Sequence, residues 1–179
     1  MFAKIPSGSM ENTLMIGDHL VANRLAYLND DPEMGDIIIF NCPIQDDVFI
    51  KRVIGTPGSI VEFHDGNVYV NGSKLNEPYI TQDPEYAQEE MEEYEIKSFK
   101  VPENCYFVMG DHRDDSFDSR YWWEVALDDG LASTKEEAVS YSFVKKEDIL
   151  AKAIFKYYKK FQIISHQDYQ LNTATDQNK

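Results

Sequence analysis

Short runs of β-branched and aromatic residues, separated by turn-forming residues, fill the chain between positions 34 and 72. Strands are predicted over residues 37–40, 48–55, 59–63 and 67–71, because such residues favour an extended backbone. Asp65-Gly66 lies between the last two strands and is typical of a tight hairpin turn, since both residues tolerate a positive φ. Another strand is predicted over residues 106–109. The pattern therefore predicts a densely β region that contains a hairpin.

Three other segments give weaker signals. Ser133 and Glu136 have the spacing of a capping box, which predicts a short helix over residues 134–141. Residues 148–161 fit both a helical face and the alternation of a strand, so periodicity leaves their structure open. Residues 83–95 contain seven acidic and no basic side chains. We expect this segment to be a solvated excursion, with a partner-binding acidic tract as the alternative.

Length and charge narrow the class of protein. A chain of 179 residues with 42% hydrophobic residues is long enough for one domain with a packed core. Its net charge is −15, from 17 basic and 32 acidic residues, and we expect no binding to nucleic acid because attraction to phosphate needs Lys and Arg. No run of residues approaches the ~18–20 apolar positions of a membrane-spanning helix. Cys42 and Cys105 allow one disulfide at most, and the sequence leaves its existence open.

The N-terminal segment carries a candidate nucleophile. Ser7 and Ser9 flank Gly8, which allows a sharp turn and a close approach of substrate to the backbone. A serine hydroxyl is a poor nucleophile until a base takes its proton, so a hydrolase interpretation needs a second residue. A simple Ser-Gly turn is the alternative interpretation.

Two residues are candidates for that base. His112 follows Asp111 and precedes Asp114 by two positions, which leaves a Ser-His-Asp arrangement open. Lys51 lies within the apolar strand over residues 48–55, where alternation directs it and Arg52 to opposite faces. If Lys51 faces the core, burial lowers the pKa of its amine from roughly 10.4 towards neutrality. The alternative is an edge-strand lysine whose amine reaches solvent.

Residues 109–122 contain four acidic side chains and two arginines between apolar positions. Charges of both signs at this density predict mutual pairing within the loop. A calcium loop fits poorly, because the oxygen ligands do not fall at EF-hand positions and the arginines would compete with a cation. We therefore predict no metal site.

Together these segments resemble, in order and spacing, the signature motifs of type I signal peptidases, from residue 5 to about residue 153. The motifs are Pro6-Ser7-Gly8-Ser9-Met10, Ile50-Lys51-Arg52-Val53-Ile54-Gly55 with Pro57-Gly58, and Gly110-Asp111-His112-Arg113 followed by Ser116-Phe117-Asp118-Ser119-Arg120. The resemblance implies antiparallel β-sheets that form a catalytic core over residues 1–63 and 101–161, with a strand over residues 151–158. A small inserted β lobe with the acidic excursion is expected over residues 64–100, a short helix after it, and a polar C-terminal tail over residues 162–179.

The resemblance also implies a role for each matching residue. Ser9 is expected to be the nucleophile and Lys51 the general base, without metal or organic cofactor. The Ser7 hydroxyl and the Ser9 backbone N–H match the oxyanion-hole donors. Further matches are Ser116 as the residue that orients the lysine, the supporting residues Asp111, Asp118 and Arg120, and the pocket residues Ile5, Pro6, Leu14 and Ile50. His112 departs from the family pattern, in which Asn is usual.

The function implied is removal of signal peptides from exported preproteins by a serine endopeptidase. Such enzymes carry an N-terminal membrane anchor, and only eight residues precede Ser9. We therefore expect the extracytoplasmic part of a cell-membrane enzyme, acting as a monomer and touching the membrane surface. Two alternatives remain at this point: a self-cleaving regulator with the same Ser-Lys chemistry, and a catalytically inactive peptide-binding module.

Overall fold

The strands are short and follow the turn-forming residues of the sequence. In a computed structural model of the protein, residues 1–157, 162–164, 167 and 169 are described. These residues form twelve strands: β1 (Phe2–Lys4), β2 (His19–Asn23), β3 (Ile37–Asn41), β4 (Val48–Gly55), β5 (Ile60–His64), β6 (Asn67–Val70), β7 (Ser73–Lys74), β8 (Ser98–Lys100), β9 (Cys105–Met109), β10 (Val144–Lys145), β11 (Ile149–Lys156) and β12 (Gln162–Ile163). The strands predicted from residue patterns are confirmed to within one residue at each end.

All strand pairs are antiparallel, and they form two sheets. The larger sheet has the order β1-β2-β11-β3-β4-β9-β10, with β12 paired to β11 outside this path. β4 therefore lies inside this sheet, where Ile38 of β3 pairs with Lys51, and Met109 of β9 pairs with Arg52. The prediction of a mainly β protein with antiparallel sheets is confirmed.

The smaller sheet has the order β7-β6-β5-β8. Its central hairpin turns at Asp65 and Gly66, whose φ angles of 52° and 67° lie in the left-handed region that the sequence predicted. β5, which the predicted division assigned to the catalytic core, pairs with β6 and β8 of this sheet. The division of the chain into core, lobe and tail stays a prediction.

In the described part of the chain three α-helices connect these strands: α1 (Pro84–Glu93), α2 (Trp122–Asp128) and α3 (Lys135–Val139). α1 corrects the expectation for the acidic segment, which is a helix with Ala87 and Met91 buried rather than a fully solvated excursion. Asp83 caps it by accepting hydrogen bonds from the backbone N–H groups of Glu85 and Tyr86. None of the helices within the described residues is long and apolar enough to cross a membrane.

The capping residue of α3 differs from the prediction by one position. Thr134, rather than Ser133, accepts a hydrogen bond from the Glu137 backbone N–H at 3.1 Å. The Glu137 side chain in turn accepts one from the Ser133 backbone N–H at 2.8 Å. Because Ser133 and Thr134 both have an acidic residue three positions later, the spacing alone fits two registers. α2 was not predicted.

Residues 149–156, which periodicity left open, form the eight-residue strand β11 between β2 and β3. The implied strand over residues 151–158 is therefore confirmed to Lys156, and residues 158–161 lie outside the described part. Most of the predicted polar tail also lies outside it. Tyr169, within that tail, packs against Tyr79 with ring centroids 6.3 Å apart.

Two clusters of buried apolar side chains lie on opposite faces of β3. Ile38 and Phe40 belong to the larger cluster, whereas Ile37 and Ile39 belong to the smaller one. The smaller cluster also contains Ile5, Met10 and Leu14. Burial of each such side chain contributes roughly 1.5–3 kcal/mol, so the N-terminal segment is firmly attached to the larger sheet.

Candidate active site

The loop between β1 and β2 carries Ser9. The backbone N–H of Ile5 donates to Asp18 O, and that of Gly17 donates to Ile5 O, both at 2.9 Å, which closes the base of this loop. Asn12 has a φ of 81°, and its side chain donates to Tyr79 O at 2.9 Å. These contacts hold a tight turn in which Ser9 is only 8% exposed.

Lys51 approaches Ser9 from β4. Its Nζ lies 2.5 Å from the Ser9 Oγ, although 42 positions separate the two residues in the sequence. Lys51 is 4% exposed, and burial is the main cause that lowers the pKa of its amine to about 8. The charge of Asp118 raises this pKa and that of Arg120 lowers it further. The Lys51 side chain therefore faces the core, which is the condition for a lysine with a lowered pKa to act as the base.

Arg52 points to the opposite face of β4 and is paired. Its Nε and Nη2 donate to the two carboxylate oxygens of Asp111 at 2.8 and 2.6 Å. Nη1 donates to Gly35 O at 2.9 Å, and the guanidinium carbon lies 4.0 Å from the Tyr79 ring centroid. This predicted supporting residue, Asp111, thus fixes β4 to the segment that follows β9.

Residues 110–121, here called the support loop, contain a second buried ion pair. Arg120 donates to Asp118 through Nε at 2.9 Å and Nη2 at 3.0 Å. Asp118 also accepts hydrogen bonds from the Gly110 backbone N–H at 2.9 Å and the Ser116 hydroxyl at 2.7 Å. Burial by itself would raise the pKa of Asp118, but the Arg120 charge and its hydrogen bonds hold this pKa below its ordinary value.

Gly110 brings the support loop against the nucleophile. A Cβ at this position would overlap the Ser9 carbonyl oxygen and the Ser116 side chain, so only glycine permits the approach. The backbone N–H of His112, two positions after Gly110, donates to Ser9 O at 3.1 Å. Ser116 lies beside the dyad, but its hydroxyl proton is directed at Asp118.

A cleft of about 640 Å³ opens above Ser9 and Lys51. Four residues with predicted roles in the site line it: Pro6, Ser7, Ile50 and Ser116. Phe49, Tyr86, Glu90, Arg113, Phe117 and Tyr121 line it as well. The cleft therefore holds predicted residues from all three motifs, together with unpredicted aromatic and charged residues from β4, α1 and the support loop.

Ile5 and Leu14 are not at the cleft wall in this structure. They are 2% and 0% exposed and belong to the smaller apolar cluster beneath the Ser9 loop. We expected both to line a substrate pocket, but they lie in the core instead. The side chain of Ile5 points inward because successive residues alternate in direction, and its neighbour Pro6 is the exposed one. Both residues anchor the ends of the turn that presents Ser9.

The imidazole of His112 is not placed to act on Ser9. Its Nδ1 is 3.8 Å from Glu11 Oε2, and the contact of His112 with the serine runs through backbone atoms. The Ser-His-Asp alternative therefore lacks its central hydrogen bond. Cys42 and Cys105 are both free, so the disulfide that the sequence left open is not formed.

Sequence reasoning missed the contribution of α1 to the cleft. Tyr86 and Glu90 are four positions apart on this helix and reach the same wall. The acidic segment contains Tyr86, Ala87 and Met91, which have the spacing of one helical face. This spacing could have identified the helix. Within the described residues, no group of acidic, histidine and cysteine side chains has the geometry of a metal site.

Comparison with known proteins identifies a family for residues 1–158, which match the model of signal peptidase, peptidase S26. A probable signal peptidase I-2 of Synechocystis sp. is 46% identical over 125 residues, and a probable signal peptidase I-1 of the same organism is 35% identical over 162 residues. These matches cover 66% and 86% of this chain and 53% and 69% of the two relatives. A crystal structure of a signal peptidase I from Enterococcus faecalis has 28% identity and a TM-score of 0.47, covering 69% of this chain and 97% of that chain.

Proposed function

The chain belongs to the peptidase S26 family of signal peptidases, and on this premise we propose that it removes signal peptides from exported preproteins as a serine endopeptidase. Ser9 is the nucleophile and Lys51 the general base. The observation that carries the proposal is the 2.5 Å distance between Lys51 Nζ and Ser9 Oγ, with the amine buried. A neutral amine at hydrogen-bonding distance from a serine hydroxyl is what acyl transfer by a Ser-Lys dyad requires.

The reaction proceeds through an ester on Ser9. Neutral Lys51 takes the hydroxyl proton while Ser9 Oγ attacks the scissile carbonyl carbon, and a tetrahedral oxyanion forms. The C–N bond then breaks, and the lysine ammonium gives its proton to the leaving amine of the mature protein. Lys51 next deprotonates a water molecule that attacks the ester, and its proton returns to Ser9 Oγ as the signal peptide leaves with a free carboxylate.

The remaining predicted residues support these steps. The Ser7 hydroxyl and the Ser9 backbone N–H are the proposed oxyanion donors, and donors of this kind contribute roughly 3–4 kcal/mol to transition-state stabilisation. The Ser116 hydroxyl donates to Asp118, and its oxygen is the proposed acceptor for the lysine amine during the reaction. Asp111, Asp118 and Arg120 hold the support loop. Pro6 and Ile50 contact an extended substrate that lies along the cleft.

Location and assembly belong to the same proposal. The signal peptidase I family is membrane-associated and acts on the signal peptides of preproteins. We propose that this chain acts at the cell membrane, with the cleft on the extracytoplasmic side, and that it is a monomer that contacts the membrane surface. The chain spans 53% of one Synechocystis relative, so its substrates and partners in the whole protein are part of the proposal.

The test is cleavage of a purified preprotein with a signal peptide, in detergent, by the wild-type chain, Ser9→Ala and Lys51→Met. Ser133→Ala and Lys100→Met are matched controls, since Ser133 is an exposed loop serine and Lys100 an exposed strand lysine. We expect cleavage by the wild type and both controls, and loss of cleavage in both dyad variants. Equal cleavage by Ser9→Ala would overturn the proposal. Binding of signal peptide without cleavage would favour an inactive binding module, and cleavage of the chain itself a self-cleaving regulator.

A further inference from the structure

Glu90 differs from the other acidic residues of the segment 83–95. The other six are exposed on or beside α1, whereas the Glu90 side chain is 13% exposed and reaches the wall of the cleft. Removing a carboxylate from water costs free energy unless charged or hydrogen-bonding partners compensate. The partners of Glu90 therefore indicate why one acidic side chain of this helix is turned inward.

These partners belong to the support loop. Glu90 Oε1 accepts a hydrogen bond from the Tyr121 hydroxyl, and Oε2 lies 3.6 Å from Arg120 Nη1. Arg120 Nη1 donates to the Tyr94 hydroxyl at 3.1 Å, and the Tyr94 and Tyr121 hydroxyls are 3.3 Å apart. The guanidinium of Arg120 also lies 4.8 Å from the Tyr121 ring centroid. Glu90 thus contacts the outer side of the buried arginine.

The other side of the same arginine contacts Asp118 and the backbone of the support loop. Arg120 forms two hydrogen bonds with Asp118, and it donates to Arg113 O at 2.9 Å. Asp118 in turn holds Ser116 and the Gly110 backbone, which abuts Ser9. A path of direct contacts therefore runs from Glu90 through Arg120 and Asp118 to the dyad.

A second contact joins α1 to the support loop. The backbone N–H of Asp83, the residue that caps α1, donates to Asp114 Oδ2 at 2.8 Å. α1 is consequently held at its N-cap and at Glu90, while Ala87 and Met91 are buried on the inner face of the helix. The helix therefore contacts the support loop at two points, its N-cap and Glu90.

We propose that Glu90 is a positioning residue for the peptidase reaction, which holds Arg120 and Tyr121 so that Asp118 fixes Ser116 and Lys51 against Ser9. This inference rests on the proposed function. It makes the acidic helix part of the catalytic unit rather than a solvated insertion. Glu90 acts through Arg120 and does not itself move a proton in the reaction.

Removal of the Glu90 charge has a defined electrostatic direction. The charged and titratable groups that act electrostatically on Lys51 are Asp118, Arg120 and Asp111 of the support loop and Cys42 after β3. Glu90 is faced by Arg120, Tyr121 and Tyr94, and shares the cleft with the charged residues Asp47, Arg113, Asp114 and Asp115. With Gln at position 90, the charge of Arg120 is less neutralised, so the pKa of Lys51 falls and the acid limb of the pH–rate profile moves to lower pH.

The experiment compares Glu90→Gln with Glu89→Gln, which removes the same charge from the adjacent exposed position of the same helix. Preprotein cleavage is measured as kcat and KM between pH 5 and 10, roughly the range over which the amine titrates. We expect Glu90→Gln to lower kcat by about 3- to 10-fold and to move the acid limb down by about 0.3–0.5 pH unit, with KM little changed. Glu89→Gln should remain within about twofold of the wild type, with its acid limb unmoved.

Each other outcome counts against the inference or against the function. Equal behaviour of the two glutamine variants would overturn the role of Glu90, as would a fall in kcat without movement of the acid limb, which loss of packing alone would produce. Failure of the wild type to cleave would instead overturn the proposed function.

If Glu90→Gln does not fold, Tyr121→Phe removes the hydroxyl that holds the carboxylate and keeps every charge. It should lower kcat by about 2- to 5-fold at constant KM, and an unchanged kcat would overturn the inference.

Discussion

The two faces of β4 each bury one basic side chain, and their surroundings differ. On one face Arg52 makes two hydrogen bonds to Asp111, a third to Gly35 O, and a contact with the Tyr79 ring. On the other face Lys51 has the Ser9 hydroxyl as its hydrogen-bonding partner, and within the described residues no carboxylate forms an ion pair with it. The two side chains are 3% and 4% exposed, so the contrast lies in partners and not in burial.

The difference shows that two basic side chains buried to the same degree can have different roles, one in stability and one in catalysis. A buried cation with a bidentate carboxylate keeps its charge, because the partner replaces the interactions lost with water. A buried amine without such a partner loses its proton more readily, and the pKa of Lys51 falls to about 8. We therefore expect Arg52 to be needed for folding and Lys51 for reaction.

The largest expected effect concerns Lys51→Met. Loss of the general base should reduce the rate of preprotein cleavage by ~10²- to 10⁴-fold. The free energy of unfolding at pH 7 should be unchanged or higher, since methionine removes a poorly solvated amine from an apolar site without leaving a large cavity. Cleavage rates and urea unfolding curves measure the two effects. A loss of several kcal/mol in stability would show that Lys51 has a structural role after all.

Arg52→Met should give the reverse result. Asp111 would remain buried without its partner, and breaking a buried ion pair in this way costs about 3–5 kcal/mol. Urea unfolding of the single variants and of the double variant Arg52→Met/Asp111→Asn measures the coupling between them. We expect the double variant to lose less than the two single losses combined, and additive losses would contradict the pairing.

The pH dependence of activity and of stability tests the lowered pKa of Lys51 in the wild-type protein. Lys51 must be neutral to accept a proton, so kcat/KM should fall as pH drops below about 8, by about tenfold per pH unit. The unfolded chain binds this proton up to pH 10.5, so the free energy of unfolding should rise by about 3 kcal/mol between pH 8 and 10.5. Lys51→Met is the control for the stability measurement, and a rise of equal size in that variant would assign it to other groups.

The smallest expected effect concerns Lys156, which can be compared directly with Lys51. It is a lysine buried to a similar degree, but its Nζ donates to Thr13 O at 2.7 Å and lies 3.3 Å from Asp18 Oδ2. If partners decide the outcome, Lys156→Met should resemble the arginine variant and lose about 1–3 kcal/mol of stability in urea unfolding. A gain in stability would indicate that burial alone governs buried lysines in this fold.

The acidic segment shows where sequence patterns were insufficient. Counting charges over residues 83–95 predicted a solvated excursion, because like charges repel one another. The helix forms because Asp83 caps it, Pro84 suits its first turn, and Ala87 and Met91 bury one face. Charge counting treats all seven acids alike, whereas tertiary contacts separate Glu90 from the other six.

The pocket residues show a related limit. Pro6 and Ile50 line the cleft, whereas Ile5 and Leu14 lie in the core. A motif identifies which positions of a chain belong to a site but not which side of a loop each side chain takes. In the Ser9 loop that choice is made by the hydrogen bonds of Ile5 and Gly17 and by the apolar cluster below.

The sequence by itself determined five of the strands, β3, β4, β5, β6 and β9, the Asp65-Gly66 hairpin, the opposite directions of Lys51 and Arg52, and the three motifs that resemble signal peptidases. These features depend on local backbone preferences and on a two-residue period, which a linear pattern contains. Only the tertiary structure decided that Lys51 meets Ser9, that none of the described carboxylates forms an ion pair with its buried amine, and that α1 contacts Arg120. Distances and solvation between residues far apart in the chain depend on how sheets and loops pack, and a pKa follows from that packing rather than from the residue type.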